Sequence, residues 1–569
     1  MSIMSILART DEGSSPRSSR ATFAAGLVLV LLKLWVSSNQ VMTAIGPAGH
    51  DDHLYLNMAK GLVSGKWLGT YNHMTLAKGP FYSIWIAASF GLGVPLLLAQ
   101  HLLYAAACAV FVSALAPALR GALLRVVLFA VLLFNPSTFT DVVGTRVLRE
   151  GIYPALTLLV LGCVLAVPLR RERPFRSNAP WAVGLGASLA ALWLCREERI
   201  WIVPALFLVA AWVAVQRSSS RRTVIVLGAS AAAVFVVLVG AVVVKNWSQY
   251  GVPVITEFTE GQFPRAYAAL GRVRQAAERP RIPLPQETRL RIYAVSPRFA
   301  ELQPFMEGDI GRGWSVPGCN EAGICGDIAA GWLMWALRDA AVAAGHYRDA
   351  HDAARYWAGV RDEVASACRD GRIACGGLSL DFLPPLRRAH LAAFPGTFLR
   401  AAASVASFQG MTVHPSPSIG PDWLLVDFRD LTRTRLAPIQ PGVDSTVPLQ
   451  DRLAARQEKL LGLILAGYRR LTPLFACAAI AALVLTVAAS IRRRKPGALA
   501  IVAGVLLAAT ASRIALLTLV HVTTFPALSV VYLSPAYPLL LAFMLVALAS
   551  PLEAVRFQAV VVSQVTSTP

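Results

Sequence analysis

Asp51 and Asp52 stand side by side in GHDDHLYLNMAKGL, just past the first apolar stretch and at the start of an amphipathic run. A carboxylate held at a membrane face and partly desolvated keeps enough basicity to take a proton from an incoming hydroxyl. A second carboxylate beside it orients the acceptor or shares a coupled titration. The plainer reading is that one of the two caps the following helix, a contribution of about 1 kcal/mol. Lys78, in LAKGPFYSIW, closes the same loop. It either snorkels at a helix end near lipid or supplies a cation to an acidic, lipid-linked group.

Further charges stand between later apolar runs. NPSTFTDVVGTRVLREG carries Asp141, Arg146, Arg149 and Glu150, and a very short connection carries Arg196, Glu197, Glu198 and Arg199. Charges so close to lipid are costly unless paired or functional. Arg–carboxylate pairing that welds helix ends is the structural reading, and a pocket for a phosphate-bearing headgroup is the functional one. Arg513, near the outer end of a late apolar run with His521 beyond it, either snorkels or joins that pocket. No Walker loop, GxGxxG, HExxH or GxSxG stands in a fitting context, so nucleotide-driven transport, metalloprotease and serine-hydrolase readings lack support.

The elements that must position these residues are mostly membrane helices. Of 569 residues, 56% are hydrophobic and 15% charged, and apolar runs of spanning length recur. The formal charge of +21 lies largely in short arginine clusters between those runs, which orient spans rather than bind nucleic acid. Spanning helices are predicted at 21–41, 94–115, 123–134, 152–169, 181–194, 200–215, 223–244, 474–490, 498–520 and 528–549. If the apolar piece 81–94 does not cross, the clusters at 120–125, 170–176, 217–222 and 492–495 all fall on the cytoplasmic side. If it crosses, all fall outside. The charges therefore predict an all-α polytopic membrane protein of about ten transmembrane helices, with interfacial helices in the first outer loop. Both termini are expected in the cytoplasm.

The expected organisation is a cytoplasmic tail (1–20), an N-terminal transmembrane module (21–245) with its first outer loop at 46–93, and an exported, soluble, mainly helical domain (246–468). C-terminal transmembrane helices (469–550) and a second cytoplasmic tail (551–569) follow. The insert is rich in Pro, Arg and Asp, with helical periodicity over 328–344 and 347–367. It holds Cys319, Cys325, Cys368 and Cys375, expected to form disulfides in an exported segment with three connectivities open. Zinc is the weaker alternative, because C-x5-C and C-x6-C are not typical ligand spacings.

GHDDHLYLNMAKGL resembles the first outer loop of the GT-C superfamily of membrane glycosyltransferases, in particular the branch of protein O-mannosyltransferases and lipid A aminoarabinose transferases. Asp51 matches the family's first acidic position, its catalytic base, and Asp52 the second. LAKGPFYSIW is similar to a segment that usually reads E-K-P-P-L: Lys78 and Pro80 match, while Ala77 replaces the acid and Gly79 the first proline. LLFNPSTFTD places Asp141 at a further acidic position. VVYLSPAYPLLL resembles the closing R-Y-L-L-P-x-Y-P pattern with Val531 in place of the arginine, and Arg513 is a candidate substitute.

The resemblance covers the chain to about residue 245 and the last helices, and leaves the insert out. It implies a bacterial-type inner-membrane enzyme whose active site faces the periplasm. Asp51 and Asp52 would be catalytic, and Lys78, Asp141, Arg146, Arg149, Glu150, Glu197, Glu198 and Arg513 would bind substrate. The implied partners are a polyprenyl-phosphate sugar donor, a cell-envelope acceptor (glycan, lipid or protein) and membrane lipids, without nucleic acid. The cofactor question stays open, a divalent metal included, since some members of the superfamily use one. The rival readings are a lipid or glycolipid transporter or flippase, which inverted repeats would favour, and a non-catalytic envelope assembly protein.

Overall fold

The computed structural model describes residues 16–566 apart from 120, 216–220, 278, 377–383, 385, 438–447 and 494–496. Residues 1–15 of the expected N-terminal tail, the last three of the C-terminal tail, and Arg120, Arg217, Arg494 and Lys495 of the arginine clusters lie outside the described residues. The described residues are all-helical, with isolated bridges and no strand among them.

The N-terminal part runs through α1 (Pro16–Val36), α2 (Asp52–Val63), α3 (Phe81–Gly91), α4 (Leu96–Leu115), α5 (Ala122–Leu133), α6 (Tyr153–Leu169), α7 (Phe175–Cys195), α8 (Val203–Val215) and α9 (Arg221–Tyr250). The insert contributes α10 (Gln262–Gly271), α11 (Gln286–Tyr293), α12 (Asp309–Ala322), α13 (Ala330–Ala343), α14 (Ala350–Arg369), α15 (Arg388–Ala406) and α16 (Asp422–Thr432). The chain closes with α17 (Pro448–Arg493), α18 (Ala498–Thr523) and α19 (Ala536–Thr566).

Among the described residues five helices are long and apolar enough to cross a membrane: Leu96–Leu115, Phe175–Cys195, Arg222–Tyr250, Arg452–Arg492 and Ala498–Thr523. Shorter apolar helices include Phe81–Gly91, Ala122–Leu133, Tyr153–Leu169, Arg199–Val215 and Ala536–Pro551. Two helices overrun the expected boundaries of the insert. α9 continues to Tyr250, and α17 begins at Pro448 and runs for 46 residues.

α2 forms because its apolar residues recur at helical spacing: Leu54, Tyr55, Met58 and Ala59 are buried, while Asn57 points outward. That face packs on α3, and α3 also meets α16 of the insert. α4, α6 and α7 pack in sequence, α7 meets α9, and α18 lies between α19 and α15. Within the insert, α10 packs on α14 and α12 on α13. Disulfides join Cys319 to Cys325 and Cys368 to Cys375.

The segment ahead of the aspartates is held by backbone hydrogen bonds to three distant stretches. Met42 N donates to Arg435 O (2.8 Å), Thr43 N to Thr145 O (2.9 Å) and Gly46 N to Ile419 O (2.8 Å). Ile419 N and Ala437 N return bonds to Ala44 O (2.9 Å) and Met42 O (2.7 Å). This strap fixes where α2 starts, and so where Asp51 and Asp52 stand.

Candidate active site

Asp51 is the residue just before α2, yet its side chain makes no capping hydrogen bond, and neither does Asp52 cap the helix. Both carboxylates are turned to other partners. Asp51 Oδ1 pairs with Lys78 Nζ, and Asp51 Oδ2 lies 3.7 Å from His50 Nε2. Its side chain is 33% exposed. Burial acts to raise its pKa, but Lys78, His50 and Arg146 together outweigh burial and hold the carboxyl well below its ordinary range.

Asp52 has the opposite surroundings. Its side chain is 0% exposed and accepts both arms of Arg146, with Nε 3.1 Å from each oxygen and Nη2 2.6 Å from Oδ2. Ile45 N donates to Oδ1 at 3.2 Å. Burial pushes Asp52 up to about 6 despite the guanidinium. Two adjacent acids are thereby driven apart: an open, firmly ionised Asp51 and an enclosed Asp52 whose geometry suits positioning.

The remaining charges pair across loops. Arg149 Nη1 reaches Glu197 Oε2 at 2.7 Å and the Cys195 carbonyl at 3.1 Å. Arg196 pairs with Glu150 and, through Nε, with Glu198 at 2.8 Å. Burial acts to raise Glu198, but Arg196 and then Arg513 outweigh it and hold the carboxyl well below its ordinary range. Arg513, 0% exposed on α18, donates to the Tyr532 carbonyl through Nε (3.1 Å) and Nη2 (2.6 Å), while its Nη1 has no hydrogen-bond partner. The Arg196 guanidinium lies 5.2 Å from the ring centre of the same Tyr532. Seven of the residues expected to bind substrate thus fall into one connected region.

Asp141 joins that region only indirectly. It accepts from Ser416 and, at 3.5 Å, from Thr43 Oγ1, and its backbone N donates to Thr412 O at 2.8 Å. Those bonds fasten the second loop to the insert and the strap.

Gly79, which departs from the proline of the family segment, has a local reason. Its N–H donates to Glu197 Oε1 at 3.2 Å, a bond proline lacks. A Cβ there would stand 2.2 Å from the Leu194 carbonyl oxygen. The lysine loop is therefore pressed against the connection between α7 and α8.

Sequence reasoning missed what the insert supplies. Trp335 of α13 lies 5.9 Å from Lys78 Nζ and 5.3 Å from the His50 ring. Arg338, 0% exposed on the same helix, donates to the His73 carbonyl and to Glu257 (2.7 Å), which also accepts from Tyr71 (2.6 Å). The periodicity of 328–344 indicates a buried face without saying that the loop carrying His50, His73 and Lys78 covers it. Among the described residues no group of three or more His, Cys, Asp and Glu side chains is placed to hold a metal ion.

No family model matches the chain, and no curated protein matches it in sequence. Two solved structures are similar to it. One is the crystal structure of ArnT from Cupriavidus metallidurans in the apo state, at 15% identity, covering 93% of this chain and 76% of that one with a TM-score of 0.31. The other is ArnT from Cupriavidus metallidurans bound to undecaprenyl phosphate, at 12% identity, covering 89% and 78% with a TM-score of 0.31. What the site can do follows from its own side chains.

Proposed function

We propose that this chain is a GT-C-type glycosyltransferase that moves a sugar from a polyprenyl-phosphate donor to a cell-envelope acceptor at the outer face of the membrane. The observation that carries the reading is the Asp51–Lys78 pair, partly open at the edge of a buried region whose other carboxylates are already engaged. A carboxylate so paired is a weak base. An arriving phosphate offers Lys78 a second anion, and as the ammonium turns to it, Asp51 regains basicity at the moment the donor is in place.

Asp51 then takes the proton of the acceptor hydroxyl, whose oxygen attacks the anomeric carbon from the face opposite the phosphate. The bond from that carbon to the phosphate oxygen breaks, and the lipid phosphate leaves with the electron pair, inverting the configuration. Arg513, with one nitrogen free, supplies a further donor for the negative charge. Asp52 and Arg146 hold the start of α2, while Arg149, Glu150, Arg196, Glu197 and Glu198 lock the loops around it.

The topology that suits this chemistry has ten crossings and both termini in the cytoplasm. α3, at 11 residues or roughly 16 Å, is too short for a hydrocarbon core of about 30 Å, but so is the 12-residue α5. Length does not separate them. The arginine clusters do, and the packing of α3 on α16 is the arrangement expected of a helix kept on the insert's side.

The test is Asp51→Asn in purified, reconstituted protein supplied with a matched donor. The amide keeps the size and removes the base, so insertion should match wild type and a modest loss of stability from the broken Lys78 pair is measured separately, while transfer by the folded protein falls by roughly 10²–10⁴-fold. Near-normal turnover would make Asp51 a structural residue and end the catalytic reading.

A further inference from the structure

A continuous strip of half-open polar and aromatic side chains leads away from Asp51, and none of its members belongs to the buried ion pairs. Asp51 Oδ2 lies 3.7 Å from His50 Nε2, and the His50 ring meets the Trp314 ring edge-on at 5.8 Å. Trp314 Nε1 donates to Asp339 Oδ2 at 2.8 Å, and Asp339 Oδ1 lies 3.0 Å from His73 Nε2. His50, His73 and Asp339 are 31%, 25% and 32% exposed, and Trp314 is half-buried. Trp335 backs the strip, its ring 5.3 Å from His50 and 4.7 Å from Phe258.

We propose that this strip is the acceptor subsite, and that it takes an uncharged pyranose ring, which stacks on Trp314 and hydrogen-bonds to Asp339 and His73. The inference rests on the glycosyltransferase reading and adds to it the surface that recognises the acceptor.

The chemistry of the strip fits that ligand class. An indole gives a flat apolar face for the C–H side of a sugar ring, and a carboxylate with an imidazole accepts and donates to hydroxyls at the ring edge. The Trp314 ring is fixed by its bond to Asp339, so little freedom is lost on binding. The strip carries two imidazoles and one carboxylate, whereas a phosphorylated ligand would call for guanidinium or ammonium groups. Direction is set by Asp51 itself. Its Oδ1 faces Lys78, where the donor phosphate belongs in the proposed reaction, and its Oδ2 faces His50. The strip is therefore left to the acceptor.

The insert, on this account, has a task in the reaction. α12 and α13 bring Trp314, Trp335 and Asp339 to the first outer loop, and the Cys319–Cys325 disulfide ties the last turn of α12 to the segment leading into α13.

The test reads binding apart from turnover. Saturation-transfer NMR of the full-length reconstituted protein with a panel of methyl pyranosides should show contact in wild type, loss in Trp314→Ala, and substantial retention in Trp314→Phe, which keeps a ring. Each variant is first shown to be monodisperse with its disulfides intact. In transfer assays Trp314→Ala should raise the acceptor KM at least about tenfold and leave the donor KM in place. Absence of methyl pyranoside binding to wild type, or undiminished binding to folded Trp314→Ala, overturns the proposal. A third arm adds undecaprenyl phosphate. Retained sugar contact supports an acceptor subsite, and displacement assigns the strip to the lipid-phosphate site and overturns the acceptor assignment. Sugar binding that persists in a protein without transfer activity would refute the enzymatic reading while leaving a Trp314-dependent sugar site, so the two failures differ.

Discussion

Arg146→Ala removes the guanidinium that grips both oxygens of Asp52 and leaves a carboxylate, 0% exposed, with the Ile45 N–H. Deleting one partner of a buried ion pair costs about 3–5 kcal/mol. The stranded charge has one escape, which is to take a proton. Burial already raises Asp52 from 3.8 to about 6 against the pull of Arg146, so losing the cation raises it further. An acid whose folded pKa exceeds its unfolded value contributes stability that is complete below the unfolded value and is lost as pH rises through the folded one. In wild type that loss runs from 3.8 to about 6 and is worth about 3 kcal/mol. In Arg146→Ala it continues to higher pH, by up to about 1.4 kcal/mol for each further pH unit. Asp51, held below its ordinary range, works in the opposite sense, and its loss begins only as pH falls below 3.8. Thermal unfolding of both proteins in detergent at about pH 6 and about pH 8 should show the larger deficit for the variant at about pH 8. An equal deficit at the two values, or a larger one at the lower, would refute the assignment of Asp52 as a buried charge balanced by Arg146.

Gly79→Pro, although it restores the residue usual in the family segment, should destabilise the protein, because it loses the Glu197 bond and drives a Cβ into the Leu194 carbonyl; wild-type unfolding temperature and yield would contradict this. Lys78→Ala should raise the donor KM and shift the acid limb of the pH–rate profile upward as Asp51 loses its cation; an unchanged donor KM and profile would remove Lys78 from phosphate binding. Cys319→Ser should cost about 2 kcal/mol, the low end for disulfides, since only a short loop is closed; free thiols at 319 and 325 in protein from its native membrane, seen by non-reducing mass analysis, would rule the bond out. Reporter fusions at Ser219 and Gly371 should mark opposite compartments, and matching compartments would overturn the proposed topology.

The apolar helices were legible because runs such as those forming α4, α7 and α18 leave little choice of environment. The amphipathic α2 was equally plain from its spacing. Residue types at the site were visible too, but partner choice was not. Asp52 and Arg146 lie 94 positions apart, and nothing in either local pattern tells a capping aspartate from one gripped by a distant guanidinium. Local sequence left a cap at Asp51 or Asp52 as open as a functional carboxylate, and the structure spends both carboxylates on ion pairs. The insert was least legible. Helical periodicity identified the buried sides of α13 and α14, but a buried side does not name its cover. The placement of Trp335 and Arg338 against the segment from His50 to Lys78 therefore came only from the fold.

The strap that sets the start of α2 has a consequence for how the protein is made. Residues 42–46 emerge early, whereas, apart from the Thr145 and Val147 partners of Thr43, the carbonyls and amides that hold them belong to residues 419, 435 and 437. At about 5–20 residues per second, roughly 390 residues of synthesis separate the two, so the Asp51 loop waits on the order of 20–80 s for its partners. During that interval α2 and its acidic start have Lys78, Thr145 and Arg146 as partners but lack the bonds to 419, 435 and 437, and contacts of such long sequence separation form slowly even once the chain is whole. A chain stopped before residue 419 carries Asp51, Asp52 and Lys78 and still lacks part of the frame that aligns them. Completing the strap is thus one of the last events in the chain's synthesis, although the loop it holds is among the first parts made.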